Sequence, residues 1–298
     1  MAAVASALGI LLLVAWSSPA AILNAWAARG DYKVSREIAY APGSRKALDV
    51  YAPAVIGEKR ASIVLFLYGG GWEDGDKSTY LFVGAALAAR GFVTIIPNYR
   101  VYPEVRFPAF VEDAALAMRW ARDHASEFGG DPDRMVLMGH SAGAHIAAML
   151  TFDRQWLADV GLDPRRHLKA MVGLAGPYDF LPLHSDTLKA IFGPENRLAA
   201  SQPINFVDGA APRVFLATGR ADDTVDPGNT TRLADRIRTK GGVAIVKIYD
   251  HVGHATLIGA FAGPLRPLAP VLRDATRFLH DAIAETASGT RAAQEGVR

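Results

Sequence analysis

Unbroken apolar runs punctuate the chain at intervals set by amphipathic stretches. Ser62–Tyr68 (SIVLFLY), Phe92–Pro97 (FVTIIP) and Arg134–Gly139 (RMVLMG) show no alternation of apolar and polar positions. Such runs suit strands covered on both faces of a sheet. Leu168–Leu174, Arg213–Thr218 and Val243–Tyr249 have the same character, and Arg36–Ala41 and Leu48–Tyr51 read as short opening strands joined through the turn Pro42-Gly43-Ser44. Between the runs the period changes. In Phe110–Phe128 the apolar residues Val111, Ala114, Leu116, Met118 and Trp120 are interleaved with Arg119, Arg122 and Asp123 at helical spacing. Tyr80–Arg90, Ala142–Leu150, Thr231–Thr239 and Leu268–Glu285 also read as helices. Strands alternating with helices predict an α/β domain with a mostly parallel central sheet and helices on both faces. Thr151–His167 and Leu181–Ala211 fit neither period and are candidates for a small cap or pocket wall. No repeat or linker divides residues 31–287, and residues 288–298 read as a flexible tail.

The first thirty residues form a separate unit. No charged side chain occurs from Ala2 to Ala28, and Leu8–Trp16 is strongly apolar. Three readings fit: a membrane anchor, a cleaved export signal lacking the usual basic start, or a helix capping the domain. Membrane association through residues 1–28, or export, is therefore expected, without a choice of membrane side.

Composition narrows the chemistry. Lys and Arg total 32 against 30 Asp and Glu among 298 residues, so no basic field argues for nucleic acid. Cysteine is absent, which excludes thiol nucleophiles, disulfides and Cys-ligated metal. No phosphate-binding loop or dinucleotide fingerprint is present, and His251 with His254 lacks a third ligand at useful spacing, so neither cofactor nor metal is expected. Asn229-Thr230-Thr231 fits a glycosylation sequon, a pattern common by chance.

The chemistry-bearing segment is Gly139-His140-Ser141-Ala142-Gly143, a G-x-S-x-G placed after a predicted strand and before a predicted helix. That setting lifts a serine hydroxyl above the sheet edge on a sharp turn. The following helix N-terminus offers free N–H groups to a developing negative charge. Tyr68-Gly69-Gly70-Gly71-Trp72 ends an earlier strand, and its glycines let backbone N–H groups approach a ligand closely. Gly70, Gly71 and Ala142 are the candidate oxyanion donors. The bulky Trp72 is a candidate substrate contact.

A serine nucleophile needs a base, and the base an orienting carboxylate, in the chain order Ser, acid, His. His251 and His254 follow the strand ending near Tyr249. Gly253 permits the turn that swings a ring toward the nucleophile and favours His254. Asp222 and Asp223 follow the strand ending near Gly219, and Asp222 lies nearer the strand end. With a neutral base and an ionised acid required, the rate rises as the imidazole loses its proton. His140 and His145 read as structural support, and His280 as a solvated helix residue.

These motifs, with Asp74-Gly75-Asp76-Lys77, Asn98-Tyr99-Arg100, Phe128-Gly129-Gly130-Asp131-Pro132 and the continuation Ala144-His145, resemble the α/β-hydrolase carboxylesterases. The similarity is greatest to the group containing hormone-sensitive-lipase-like esterases, bacterial feruloyl-type esterases, kynurenine formamidase and isoprenylcysteine methylesterase. It runs from about Arg36 to Glu285. The resemblance implies the α/β-hydrolase fold and hydrolysis of a small-molecule carboxylic ester through an acyl-enzyme on Ser141. It also implies that Asp222 and His254 complete a triad and that Gly70, Gly71 and Ala142 form the oxyanion hole. A short or medium acyl group is expected from the small cap and Trp72. Amide hydrolysis, as by an arylformamidase, uses the same triad, and a binding module without chemistry is the reading from another class. Relatives usually carry His where Tyr68 stands, a residue expected to brace the loop. Arg100 and Glu104 are expected to be buried bracing charges.

Overall fold

The computed structural model describes residues 19–295. The elements in chain order are α1 (Pro19–Ala27), β1 (Tyr32–Ala39), β2 (Ala47–Pro53), β3 (Ala61–Leu67), α2 (Leu81–Ala88), β4 (Phe92–Pro97), α3 (Ala109–His124) and β5 (Gly130–His140). They continue with α4 (Ala142–Phe152), the single turns α5 (Gln155–Ala158) and α6 (Pro164–His167), β6 (Leu168–Leu174) and α7 (Asp186–Phe192). The last are β7 (Arg213–Gly219), α8 (Gly228–Thr239), β8 (Ala244–Tyr249), α9 (His254–Gly259) and α10 (Val271–Glu295).

The eight strands form one sheet in the order β1-β2-β4-β3-β5-β6-β7-β8. The β1–β2 and β2–β4 pairs are antiparallel and the remainder parallel. Every residue of β4 is buried, as are six of seven in β3 and β6, so both faces of the sheet are covered. That is the burial required by runs without alternation. The edge strand β1 instead has no buried residue.

Register places the chemistry. Leu67 pairs with Gly139 at the ends of β3 and β5, so the triple-glycine loop and the serine turn leave the sheet side by side. His140 pairs with Leu174 of β6, and the Ser141 N–H donates to the Leu174 carbonyl at 2.9 Å.

Several expectations are revised. Arg100 is braced by Asp113 of α3, through Nε at 2.8 Å and Nη2 at 2.8 Å. Glu104 is exposed and accepts from Ser44 Oγ, so it is not a buried charge. The partner that makes Arg100 tolerable lies thirteen residues on, on a helix face. Of the two irregular stretches, 181–211 bears on the cleft described below, whereas 151–167 carries α5 and α6 and contributes nothing to its lining. The final helix runs on to Glu295, into the segment expected to be a tail.

Of the apolar N-terminal segment, residues 1–18 lie outside the described part. Residues 19–27 form α1, which packs on the domain: Asn24 Nδ2 donates to the Ser78 carbonyl at 2.8 Å, and Asn24 Oδ1 accepts from Phe82 N–H at 3.0 Å. Among the described residues no helix is long and apolar enough to cross a membrane.

Candidate active site

Ser141 sits between β5 and α4 with φ 55° and ψ −125°, a region that a residue bearing Cβ rarely adopts. Its surroundings leave no alternative. A Cβ on Gly139 would lie 2.3 Å from the Gly143 carbonyl oxygen, and one on Gly143 would lie 2.1 Å from that of Leu67. The glycines of the motif are therefore the condition for α4 to cross so close to β3 and β5.

The hydroxyl meets a base. Ser141 Oγ lies 2.9 Å from His254 Nε2, and His254 Nδ1 lies 2.9 and 3.1 Å from the two carboxylate oxygens of Asp222. The Asp222 side chain is fully buried and Oδ1 also accepts from the N–H groups of Thr224 and Val225, at 3.0 and 2.9 Å. Those bonds satisfy the buried carboxylate and fix its direction. Asp223 is exposed and accepts only from Thr224 Oγ1. His251 is exposed, with φ 59°, in the loop before His254. Between the alternatives left open by sequence, the structure brings Asp222 and His254, not Asp223 and His251, to Ser141. An imidazole held by a carboxylate and bonded to a serine hydroxyl can take the proton as that oxygen attacks a carbonyl.

The oxyanion candidates also gather here. Gly70 and Gly71 have φ of 149° and 61°, and Ala142 is the first residue of α4. None of their N–H groups finds an acceptor among the described residues. Of the loop glycines, Gly69 comes nearest Ser141: a Cβ on it would lie 2.9 Å from Ser141 Cβ.

Tyr68 shows how the loop is braced without the usual histidine. Its ring stacks between Tyr80 and Tyr99, with centroids 5.5 and 4.7 Å away. Its hydroxyl donates to Asn98 Oδ1 at 2.8 Å and accepts from Arg45 at 3.1 Å. Asn98 ties two motifs together, accepting from Lys77 N–H at 2.7 Å and donating to Asp76 at 2.7 Å. The Lys77 ammonium is buried against Asp49 at 2.9 Å and pairs also with Glu37. These segments thus form one scaffold beneath the triple-glycine loop.

His140 and His145 are buried and held neutral. Burial pushes His140 down to about 3 and His145 to about 4, the nearby His254 adding to the first. His140 Nε2 donates to the His254 carbonyl at 3.2 Å. His145 Nε2 donates to the Ser201 carbonyl at 2.7 Å, while Nδ1 accepts from Trp72 Nε1 at 3.3 Å. Both support the site, one holding the base-bearing loop and the other the Trp72 ring.

A cleft of about 500 Å³ opens beside Ser141. Gly71 and Trp72 line it together with Pro177, residues 179–185 and Leu188. Trp72, 4% exposed, stacks on Phe180 at 5.7 Å and meets Phe192 edge-on at 4.8 Å. Sequence reading missed Phe180, and also Arg232, which bonds Asp179 at 2.7 Å and Asp226 at 3.0 Å on the cleft lining. No local pattern announced them, because their partners come from separate elements. Asn229 of the sequon is buried, its Oδ1 accepting from the N–H groups of Tyr178 and Asp179, so its side chain is engaged in the fold. Among the described residues no three His, Asp or Glu side chains gather to hold a metal ion.

Strand order, serine turn and triad together define an α/β hydrolase with a Ser–His–Asp constellation at the end of its sheet. Residues 48–237 match the BD-FAE family, and the chain belongs to it. A probable isoprenylcysteine alpha-carbonyl methylesterase of Oryza sativa is 31% identical over 257 residues, covering 78% of this chain and 59% of the relative. Esterase LipC of Mycobacterium tuberculosis is 32% identical over 153 residues, covering 50% of this chain and 38% of the relative. The chain thus spans 59% and 38% of the lengths of these two curated relatives. Among solved structures, esterase 2 of Thermogutta terrifontis is 26% identical with a TM-score of 0.69, over 84% of this chain and 94% of that one. Esterase B of Lactobacillus rhamnosis, 18% identical with a TM-score of 0.79 over 96% and 98%, shares the fold.

Proposed function

We propose that the protein is a carboxylic ester hydrolase working through an acyl-enzyme on Ser141. The carrying observation is the continuous chain from Ser141 Oγ through His254 to buried Asp222. His254 takes the serine proton as Oγ attacks the ester carbonyl. The N–H groups of Gly70, Gly71 and Ala142 receive the oxyanion, and the alcohol leaves with the proton from His254. Water then attacks the acyl-enzyme by the same route, returning the proton to His254 and then to Ser141. The names of the relatives support ester cleavage. So does the Thermogutta terrifontis esterase 2, solved after phosphoramylation by tabun.

The substrate is a small-molecule ester with a short or medium acyl group. The cleft volume and the Trp72–Phe180 wall beside Ser141 support that size. Labelling of the full chain by a fluorophosphonate probe, with mass spectrometry of the modified peptide, tests the nucleophile. The expected adduct is on Ser141 and absent from Ser141→Ala; a folded protein that takes no label refutes the reading. A p-nitrophenyl ester series from acetate to palmitate tests the acyl preference, which palmitate turnover equal to that of butyrate would overturn. Attachment to a membrane, or export, is the localisation supported by the uncharged stretch from Ala2 to Ala28.

A further inference from the structure

The face carried by α1 is apolar on both sides. Leu23 packs against the core and Ala27 is buried in it. Ile22 and Trp26, one turn apart on another side, are 45% and 46% exposed. A short helix on a domain surface ordinarily turns polar residues outward. The 3-10 segment Gly263–Leu268 packs against α1, with Gly263 against the Trp26 ring, and ends in Leu268, which is 53% exposed. Between these elements and α2 runs a groove of about 360 Å³, lined by Trp26, Phe82, Ala86 and Phe261 with Arg29 and Arg266.

Three arginines border this face, with the exposed Asp31 as a nearby carboxylate. Among the described residues Arg29, Arg90 and Arg266 form no ion pair, so their charges are available to an anionic partner. Arg266 is partly buried and feels the like charge of Arg90, both of which disfavour its charged form. Exposed Trp and aliphatic side chains flanked by unpaired arginines match an interface with an apolar interior and an anionic boundary. The sequence preceding α1 carries no charged side chain.

We propose that this face docks on an anionic lipid surface: Ile22, Trp26 and Leu268 enter the acyl boundary while Arg29, Arg90 and Arg266 meet headgroup phosphates. The proposal concerns binding and does not rest on the reading of Ser141. Phe261 and Gly263 follow α9, whose first residue is His254, by a few residues along the chain.

Co-sedimentation of the full chain tests it, with vesicles of phosphatidylcholine alone and of equimolar phosphatidylcholine and phosphatidylglycerol. The wild type should favour the anionic vesicles, and added salt should erode that preference. Arg29→Glu/Arg266→Glu should weaken partition onto anionic vesicles by at least about tenfold. Ile22→Ser/Leu268→Ser, at exposed positions, should weaken partition onto both compositions, with thermal melts confirming that each variant is folded. Wild-type partition retained by both folded double variants would overturn the proposal, since attachment would then reside elsewhere in the chain. Equal partition onto both vesicle compositions would also overturn it. So would a concentration-dependent dimer, abolished by Ile22→Ser/Leu268→Ser without change in vesicle binding, which would make the face a self-interface.

Discussion

Around Ser141 the chain is fixed by backbone against backbone, whereas the cleft wall is fixed by side chains, from the buried Asn229 and Gln202 to the water-exposed Arg232. Gly139, Gly143 and Gly69 each lack room for a methyl group, and the Ser141 N–H is bound across the sheet to Leu174. From Pro177 to Leu188 the wall also carries outward contacts such as Arg232 with Asp179 and Asp226, whose side chains are 35–63% exposed. The first construction tolerates almost no change. The second can be redrawn by substitution at little cost to folding, because exposed pairs contribute at most about 1 kcal/mol. Reaction type is therefore built into the rigid region and substrate choice into the compliant one.

The sharpest test of that contrast is inside the triad. Asp222→Asn should lower kcat by about 10⁴, by holding His254 in the wrong tautomer, while Asp223→Asn leaves it within about twofold. Steady-state kinetics on a short-chain ester decide it, and equal losses at both positions would show that the acid is misassigned.

Buried neutral histidines supply the next test. His140 and His145 are depressed from an ordinary 6.5 to about 3 and about 4, so the unfolded chain binds protons that the folded one refuses. Their contribution is complete above pH 6.5 and is lost as pH falls from there through about 4 for His145 and about 3 for His140. Denaturant midpoints should drop across that window, and His140→Asn should drop less steeply. An unchanged slope in the variant would remove His140 from the account.

Tyr68→Phe should have a smaller effect. It deletes the bond to Asn98, which keeps its bond from Lys77 N–H. A loss of about 1 kcal/mol and a fall in kcat of up to about tenfold are expected from urea melts and kinetics. Smallest of all, Arg232→Ala should change KM for short esters by a few-fold, leaving kcat and stability nearly untouched. A large kcat loss there would show that the cleft wall is less compliant than the contrast holds.

Much of this architecture was legible in the chain. Phe92–Pro97 and Leu168–Leu174 are strands to the residue, because burial on both faces demands an unbroken apolar run. The serine turn was legible because its steric conditions fall within five consecutive residues. What escaped reading depends on distant partners. Arg100 and Glu104 were both expected to be buried bracing charges, but the brace of Arg100 is Asp113 on α3. His145 reaches Ser201, and Phe180 reaches Trp72, across gaps that no local pattern spans. The helix α7 is only seven residues long, too short for a period to declare itself.

The backbone of Ser141 carries one more implication. Its φ of 55° and ψ of −125° are comfortable only for glycine, at a cost to serine on the order of 1–3 kcal/mol. The proposed nucleophile thus occupies a position where the fold alone would choose a glycine. Selection for heat resistance without selection for turnover would drift there first, yielding a sturdier protein that no longer acts.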